Sequence, residues 1–90
     1  MGALVRIPIP LRRFVGNRTI VEAQGATVFQ VLEDLGRRFP GVRERLYDGS
    51  GLRPFINVYL NDEDIRFLEG QETLVKDGDL ISVVPAIAGG

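Results

Sequence analysis

Residues 27–41 read TVFQVLEDLGRRFPG, and their spacing decides the fold. Val28, Val31, Leu32, Leu35 and Phe39 fall at i, i+3, i+4, i+7 and i+11, which draws one apolar stripe along a helix. Thr27 followed by Gln30 fits a capping box, in which the threonine oxygen accepts from a first-turn amide and the glutamine reaches back. Arg37 and Arg38 sit in the last turn, where positive charge suits the helix dipole. Pro40-Gly41 stops the helix. Gly36 costs it about 1 kcal/mol relative to alanine, which the close approach of a strand backbone would explain.

A helix with one apolar stripe needs a sheet to bury it, and the flanking sequence supplies strands. Upstream, Ala3, Val5, Ile7 and Ile9 alternate with Leu4, Arg6 and Pro8, the period of a half-buried strand. Pro8 and Pro10 make its end an edge or a bend. Gly16-Asn17 signals a turn, and Thr19 to Ala23 reads as the return strand of a hairpin. Its loop exceeds a tight turn if Leu11-Arg12-Arg13 belong to it. Downstream, Val42 to Tyr47 fits one helical turn with Leu46 or Tyr47 inward, and Asp48 to Gly51 is a flexible tip. Phe55 to Asn61 is a strand with Ile56, Val58 and Leu60 on one face and Phe55, Asn57 and Tyr59 on the other. Asn61 to Asp64 turns the chain into a short return strand, Ile65-Arg66-Phe67. After turns at Glu69-Gly70 and Asp77-Gly78-Asp79, Leu80 to Val84 is a last strand with Ile81 and Val83 inward, ended by Pro85.

Strand, strand, helix, strand, short strand, strand is an α+β order: a mixed sheet packed on one main helix, the ubiquitin-like β-grasp. Residues 1–90 form a single domain on this reading, with a flexible C-terminal tail at 86–90. Ninety residues imply a radius of gyration of roughly 12 Å, too small for a second core or a deep substrate cleft. A hydrophobic fraction of 44% suffices for a core.

The absent residue types exclude much chemistry. With no cysteine there is no disulfide framework, thiol nucleophile or cysteine-based metal site. With no histidine there is no imidazole base or ligand. Eleven basic against 12 acidic residues give a net charge of −1, which argues against nucleic acid. Nothing has the length of a membrane span or the form of a signal peptide, so the expected location is cytoplasmic. Charge is uneven along the chain: residues 1–45 carry a net +4 and residues 46–90 a net −5. Either the fold keeps this separation, giving an acidic side that steers a basic partner, or the halves interleave and cancel.

Most candidate sites have a plainer structural explanation. Asp62-Glu63-Asp64 offers oxygen ligands but lacks the glycine and glutamate of a calcium loop, so it reads as a solvated turn. Gly49-Ser50-Gly51 lacks the later glycine of a dinucleotide loop. The arginine groups Arg12-Arg13, Arg37-Arg38 and Arg43/Arg45 read as solvated surface. Phe55 and Tyr59 are docking candidates unless loops cover them. Leu80 and Val84, pointing away from Ile81 and Val83, are better ones.

The C-terminal Ala86-Ile87-Ala88-Gly89-Gly90 carries more. Five residues extend about 16 Å at ~3.3 Å each, enough to enter a partner's active site while the body docks outside. A carboxylate is a poor electrophile until it is activated, as by forming an acyl-adenylate with ATP. Glycines thread a narrow channel because they have no side chain to block it.

With this ending the chain resembles the MoaD/ThiS family of ubiquitin-like sulfur carriers. Val83 to Gly90 carries the resemblance, with Asp77-Gly78-Asp79 ahead of it. The block Phe55 to Phe67, with Glu44-Arg45-Leu46, is most similar to the CysO-type carriers of an actinobacterial cysteine-synthesis route. The resemblance implies that an E1-like adenylyltransferase and sulfurtransferase activates Gly90 with ATP and converts it to a thiocarboxylate. It implies that Ala86, Ile87, Ala88 and Gly89 thread the partner's active site. In CysO-type systems the sulfur passes to a PLP-dependent cysteine synthase, and a metalloprotease then releases cysteine from the carrier. The chain itself is no enzyme on this reading and binds no cofactor or metal; ATP and PLP belong to its partners. The alternatives are a molybdopterin synthase small subunit, a thiazole-sulfur carrier, or a protein modifier that forms isopeptide bonds through Gly90.

Overall fold

A computed structural model describes residues 2–85. Strand β1 (Gly2–Arg6) pairs antiparallel with β2 (Ile20–Gln24), from Gly2 opposite Gln24 to Arg6 opposite Ile20. Helix α1 (Val28–Arg38) follows, then α2 (Pro40–Leu46). Two-residue strands β3 (Tyr47–Asp48) and β4 (Gly51–Leu52) form a small ribbon. Strand β5 (Ile56–Leu60), the short β6 (Glu63–Asp64) and β7 (Leu80–Pro85) complete the main sheet. Its spatial order is β2-β1-β7-β5-β6, with β1 and β7 parallel and the other neighbours antiparallel. This is the mixed β-grasp sheet, and the radius of gyration is 11.9 Å.

The helical stripe packs on one face of that sheet. Val28, Val31, Leu32 and Leu35 are wholly buried with Ala3, Val5, Val21, Val58, Ile81 and Val83. Phe39 is partly buried against them as the residue that ends α1. At the start of α1 the Gln30 amide donates to Thr27 Oγ1 at 3.1 Å. Gln30 Oε1 in turn accepts from the Ala26 amide at 2.8 Å, one residue ahead of the cap. Pro40 ends α1 but also opens α2, as suits a residue with fixed φ and no amide hydrogen at a first helical position. Two turns with Val42 and Leu46 buried therefore stand where the sequence suggested one.

Two other boundaries and one close neighbour differ from expectation. Ile9 does not continue β1: Pro8 turns the chain into a 3₁₀ helix, Ile9–Val15, and Ile9 is 75% exposed. That helix fills the long hairpin loop and buries Leu11 and Val15. The turn Asn61-Asp62 closes a two-residue hairpin between Leu60 and Glu63, both turn residues at positive φ (49° and 75°). The return strand is thus Glu63–Asp64, and Ile65–Phe67 is a 3₁₀ turn capped by Asp64, whose Oδ1 accepts from the Arg66 amide at 2.9 Å. Pro85 is the last residue of β7, as expected, and pairs opposite Ile56. At Gly36 a Cβ would meet the Cβ of Arg43 at 3.0 Å, so the close neighbour is α2 and not a strand.

Among the described residues the outer edge of β2 has no strand partner, and α1 covers it with side chains. Asp34 Oδ2 accepts from the Gln24 amide at 2.9 Å, and Arg38 donates to the Glu22 carbonyl. Arg38 also lies 3.4 Å from Asp34, so the two groups hold each other over the strand. The Gln24 amide foremost, then Arg37 and Arg38, hold the Asp34 carboxyl below its ordinary range, against a smaller opposing effect of burial.

Two outcomes follow for stability. Leu35→Ala, at a fully buried stripe position, costs about 2–5 kcal/mol in denaturant unfolding. A carboxyl whose folded pKa is depressed adds stability above its unfolded pKa of about 4 and loses it as the pH falls through the folded value. Asp34→Asn therefore lowers stability at neutral pH, and the gap to wild type closes below pH ~4. Denaturation midpoints across that range check it.

Candidate functional site at the end of the last strand

Strand β7 lies between β1 and β5, so the chain's last described segment is held from both sides. Leu4, Val5 and Arg6 register with Leu80, Ile81 and Ser82 on one flank. Ile56 to Leu60 register with Pro85 to Ile81 on the other. Ile81 and Val83 are anchored in the core at 0% and 3% exposure. Where β7 begins, the turn is tied down: Asn61 Nδ2 donates to Asp79 Oδ1 at 3.0 Å, and Asn61 Oδ1 accepts from the Leu80 amide at 2.9 Å. Asn61 foremost, then the Lys76 amide, hold the Asp79 carboxyl below its ordinary range. The strand is fixed at its start and along its length, and it delivers Pro85 to the opposite end of the sheet.

Two surfaces meet at that strand. One is the sheet face turned away from α1. Register places Leu4 beside Leu80, Arg6 beside Ser82 and Tyr59, and Asn57 beside Val84 on it. Val84, Ile20 and Leu4 are each about two-fifths exposed, while Leu80 and Tyr59 are partly buried. Ser82, buried at 8%, sits between them. The other surface is a cleft of about 320 Å³ where the strand ends, lined by Pro10, Leu11, Arg45, Arg53, Phe55 and Pro85 among others. Arg53 is oriented there by donating to the Glu44 carbonyl from Nε (3.2 Å) and Nη2 (3.0 Å). Arg45 stacks over the Phe14 ring at 5.4 Å and Arg13 over the same ring at 4.8 Å.

The predicted docking residues therefore divide. Leu80, Val84 and Tyr59 share the open face, Leu80 at one end of β7 and Val84 at the other. Phe55 is half exposed, but it precedes β5 and lines the cleft with Pro10 and Arg45. Leu4 and Ile20 complete the apolar patch, and only the parallel register of β1 with β7 reveals them. The predicted tail, Ala86, Ile87, Ala88, Gly89 and Gly90, lies outside the described residues. The Asp62-Glu63-Asp64 turn holds no ion site: Asp64 is taken up by Arg66 at 2.7 Å, and no metal-binding cluster occurs among the described residues.

Part of the chain's charge is grouped by the fold. Asp62, Glu63, Asp77 and Asp79 gather where β7 starts, around the Asn61 turn and the Gly2 amide, which donates to Asp77 at 2.8 Å. Arg13, Arg45 and Arg53 gather where β7 ends. An acidic group thus lies at the start of β7, and at its end three arginines outnumber one carboxylate, Glu44.

These features define a class: a ubiquitin-like domain whose last strand lies in the middle of its sheet. The chain belongs to the ThiS family, whose sequence profile matches residues 5–90. It is 43% identical over 93 residues to the sulfur carrier protein CysO of Mycobacterium tuberculosis, covering 100% of both chains. It is 36% identical over 81 residues to small archaeal modifier protein 3 of Haloferax volcanii, covering 88% of each. The crystal structure of the Amycolatopsis orientalis BexX/CysO complex contains a chain that superposes with a TM-score of 0.89 at 48% identity, covering 98% of this chain and 99% of that one.

The ring that carries the two stacked arginines depends on Gly41, where a Cβ would run into Phe14. Gly41→Ala forces the ring aside and costs about 1–3 kcal/mol, as overpacking does. Thermal unfolding, with the Phe14 ring followed by NMR, checks both effects.

Proposed function

We propose that this chain is a sulfur carrier whose Gly90 carboxylate is adenylated by an E1-like enzyme and then converted to a thiocarboxylate. The observation that carries the reading is the match to CysO, which spans this chain and that relative in full, Gly90 included. The chemistry is consistent with it. The carboxylate attacks the α-phosphate of ATP and pyrophosphate leaves. A sulfide equivalent then attacks the acyl carbon and AMP leaves, so a carbon–sulfur bond replaces the carbon–oxygen bond to AMP. With no cysteine and no histidine, the chain brings neither a thiol sulfur nor an imidazole, and on this reading the sulfur comes from the partner. The chain's part is to dock and to present Gly90, with Ala86 to Gly89 threading the partner's channel and the Leu4, Ile20, Leu80, Val84 face against the partner's body.

By the same likeness the sulfur acceptor is a PLP-dependent cysteine synthase, and a metalloprotease releases the product. The likeness to small archaeal modifier protein 3 favours a second reading, in which a lysine amine replaces sulfide as nucleophile and Gly90 ends in an isopeptide bond. Activation is common to both, and they part only at the nucleophile.

Intact mass after incubation with ATP, a sulfide source and the activating enzyme tests the proposal. Replacement of one oxygen by sulfur at Gly90 is the expected result. An unchanged mass beside demonstrably active enzyme overturns it. Gly89→Val folds as wild type but gains no sulfur, because a β-branched side chain restricts φ and blocks the channel. Thiocarboxylate formation at the wild-type rate would refute the threading argument. One residue added after Gly90 abolishes sulfur loading and leaves docking intact.

A further inference from the structure

The carrier reading assigns the tail a destination, and the cleft at the root of the tail has a chemistry of its own. Its floor is apolar, from Pro10, Leu11, Ile56 and Pro85, with Phe55 half exposed at its side. Its rim carries two arginines, Arg45 and Arg53, against one carboxylate, Glu44. Arg13 joins that rim by sharing the Phe14 ring with Arg45. Neither Arg13, Arg45 nor Arg53 forms an ion pair among the described residues, whereas Arg37, Arg38 and Arg66 do. The rim guanidiniums are held in place by a ring and by the Glu44 backbone carbonyl, and the one carboxylate of the lining, Glu44, pairs with none of them among the described residues, so the rim keeps a net positive charge. Such cations are poised for carboxylates supplied from outside, and being pre-positioned they lose little freedom on pairing.

We propose that this cleft is a second docking point, distinct from the open sheet face, which takes an apolar side chain flanked by carboxylates on the activating enzyme. The inference rests on the carrier reading. Its argument is charge complementarity and continuity: Pro85 lines the cleft and is the residue from which the tail leaves. An enzyme that receives Gly90 must bring its channel mouth to this end of the sheet. The opposite end of β7 bears Asp62, Glu63, Asp77 and Asp79 and would repel the same acidic mouth. The two charged ends thus orient the carrier as it approaches, tail first.

The test uses the full chain and its E1-like activating enzyme in two assays: binding without ATP, and steady-state sulfur loading with ATP and sulfide. Arg13→Glu/Arg45→Glu, with circular dichroism and denaturation as folding controls, weakens binding and raises KM for the carrier by about ten- to a hundredfold, with kcat unchanged. Wild-type affinity falls steeply with added salt, and that of the double variant does not. Glu63→Lys, at the far end, leaves KM within about twofold of wild type. Arg13→Gln/Arg45→Gln, which removes charge without reversing it, falls between wild type and the reversal. Wild-type binding and KM in the folded reversal variant overturn the proposal, as does an equal effect from Glu63→Lys. A wild-type chain that binds but gains no sulfur overturns the carrier reading, and the docking point then stands or falls on the binding assay alone.

Discussion

The parallel pairing of β1 with β7 is the constraint on which the rest of the structure depends. It places the last strand in the middle of the sheet, hydrogen-bonded on both sides, with Ile81 and Val83 locked beneath α1. The same pairing requires a long connection, since parallel strands cannot be joined by a hairpin. Residues 7–79 supply that connection, and they contain both helices and the rest of the sheet. The last described residue, Pro85, thus stands at one of the best-supported positions in the domain.

The helix was legible because its signal is local. Five apolar positions at helical spacing and a capping pair lie within 13 residues, and every partner they need is near in sequence. The strands were legible for the same reason, through their alternation and turn residues. Less legible were features set by tertiary placement. Ile9 has the parity of a strand residue, but Pro8 diverts the chain and Leu11 and Val15 are buried in its place. Gly36 faces α2 because Pro40 starts a helix as readily as it stops one. Ile65–Phe67 has strand composition, but the two-residue turn at Asn61-Asp62 uses up the pairing at Glu63 and Asp64.

The site divides along the same line. Gly89-Gly90 after a strand can be read from the sequence alone, and so can Leu80 and Val84 as an outward pair. Leu4 and Ile20 join that pair only through a sheet order that no local pattern encodes. Likewise Arg13, Arg45 and Arg53 are scattered in the sequence and become a rim only when the 3₁₀ helix, α2 and the start of β5 converge on Pro85. Sequence showed that the charge was lopsided, and the register of β7 shows which end holds which sign.

The pairing of first strand with last strand also sets how the domain responds to a pull. Tension between Gly2 and the end of β7 runs along both strands in opposite directions, because they are parallel and their free ends lie at opposite ends of the sheet. The load then acts on the β1–β7 ladder in shear. Its hydrogen bonds share the force and must rupture together, whereas an edge ladder pulled from one end unzips bond by bond. On the carrier reading proposed above, a pull on the tail would load this ladder in shear, the geometry in which it resists best.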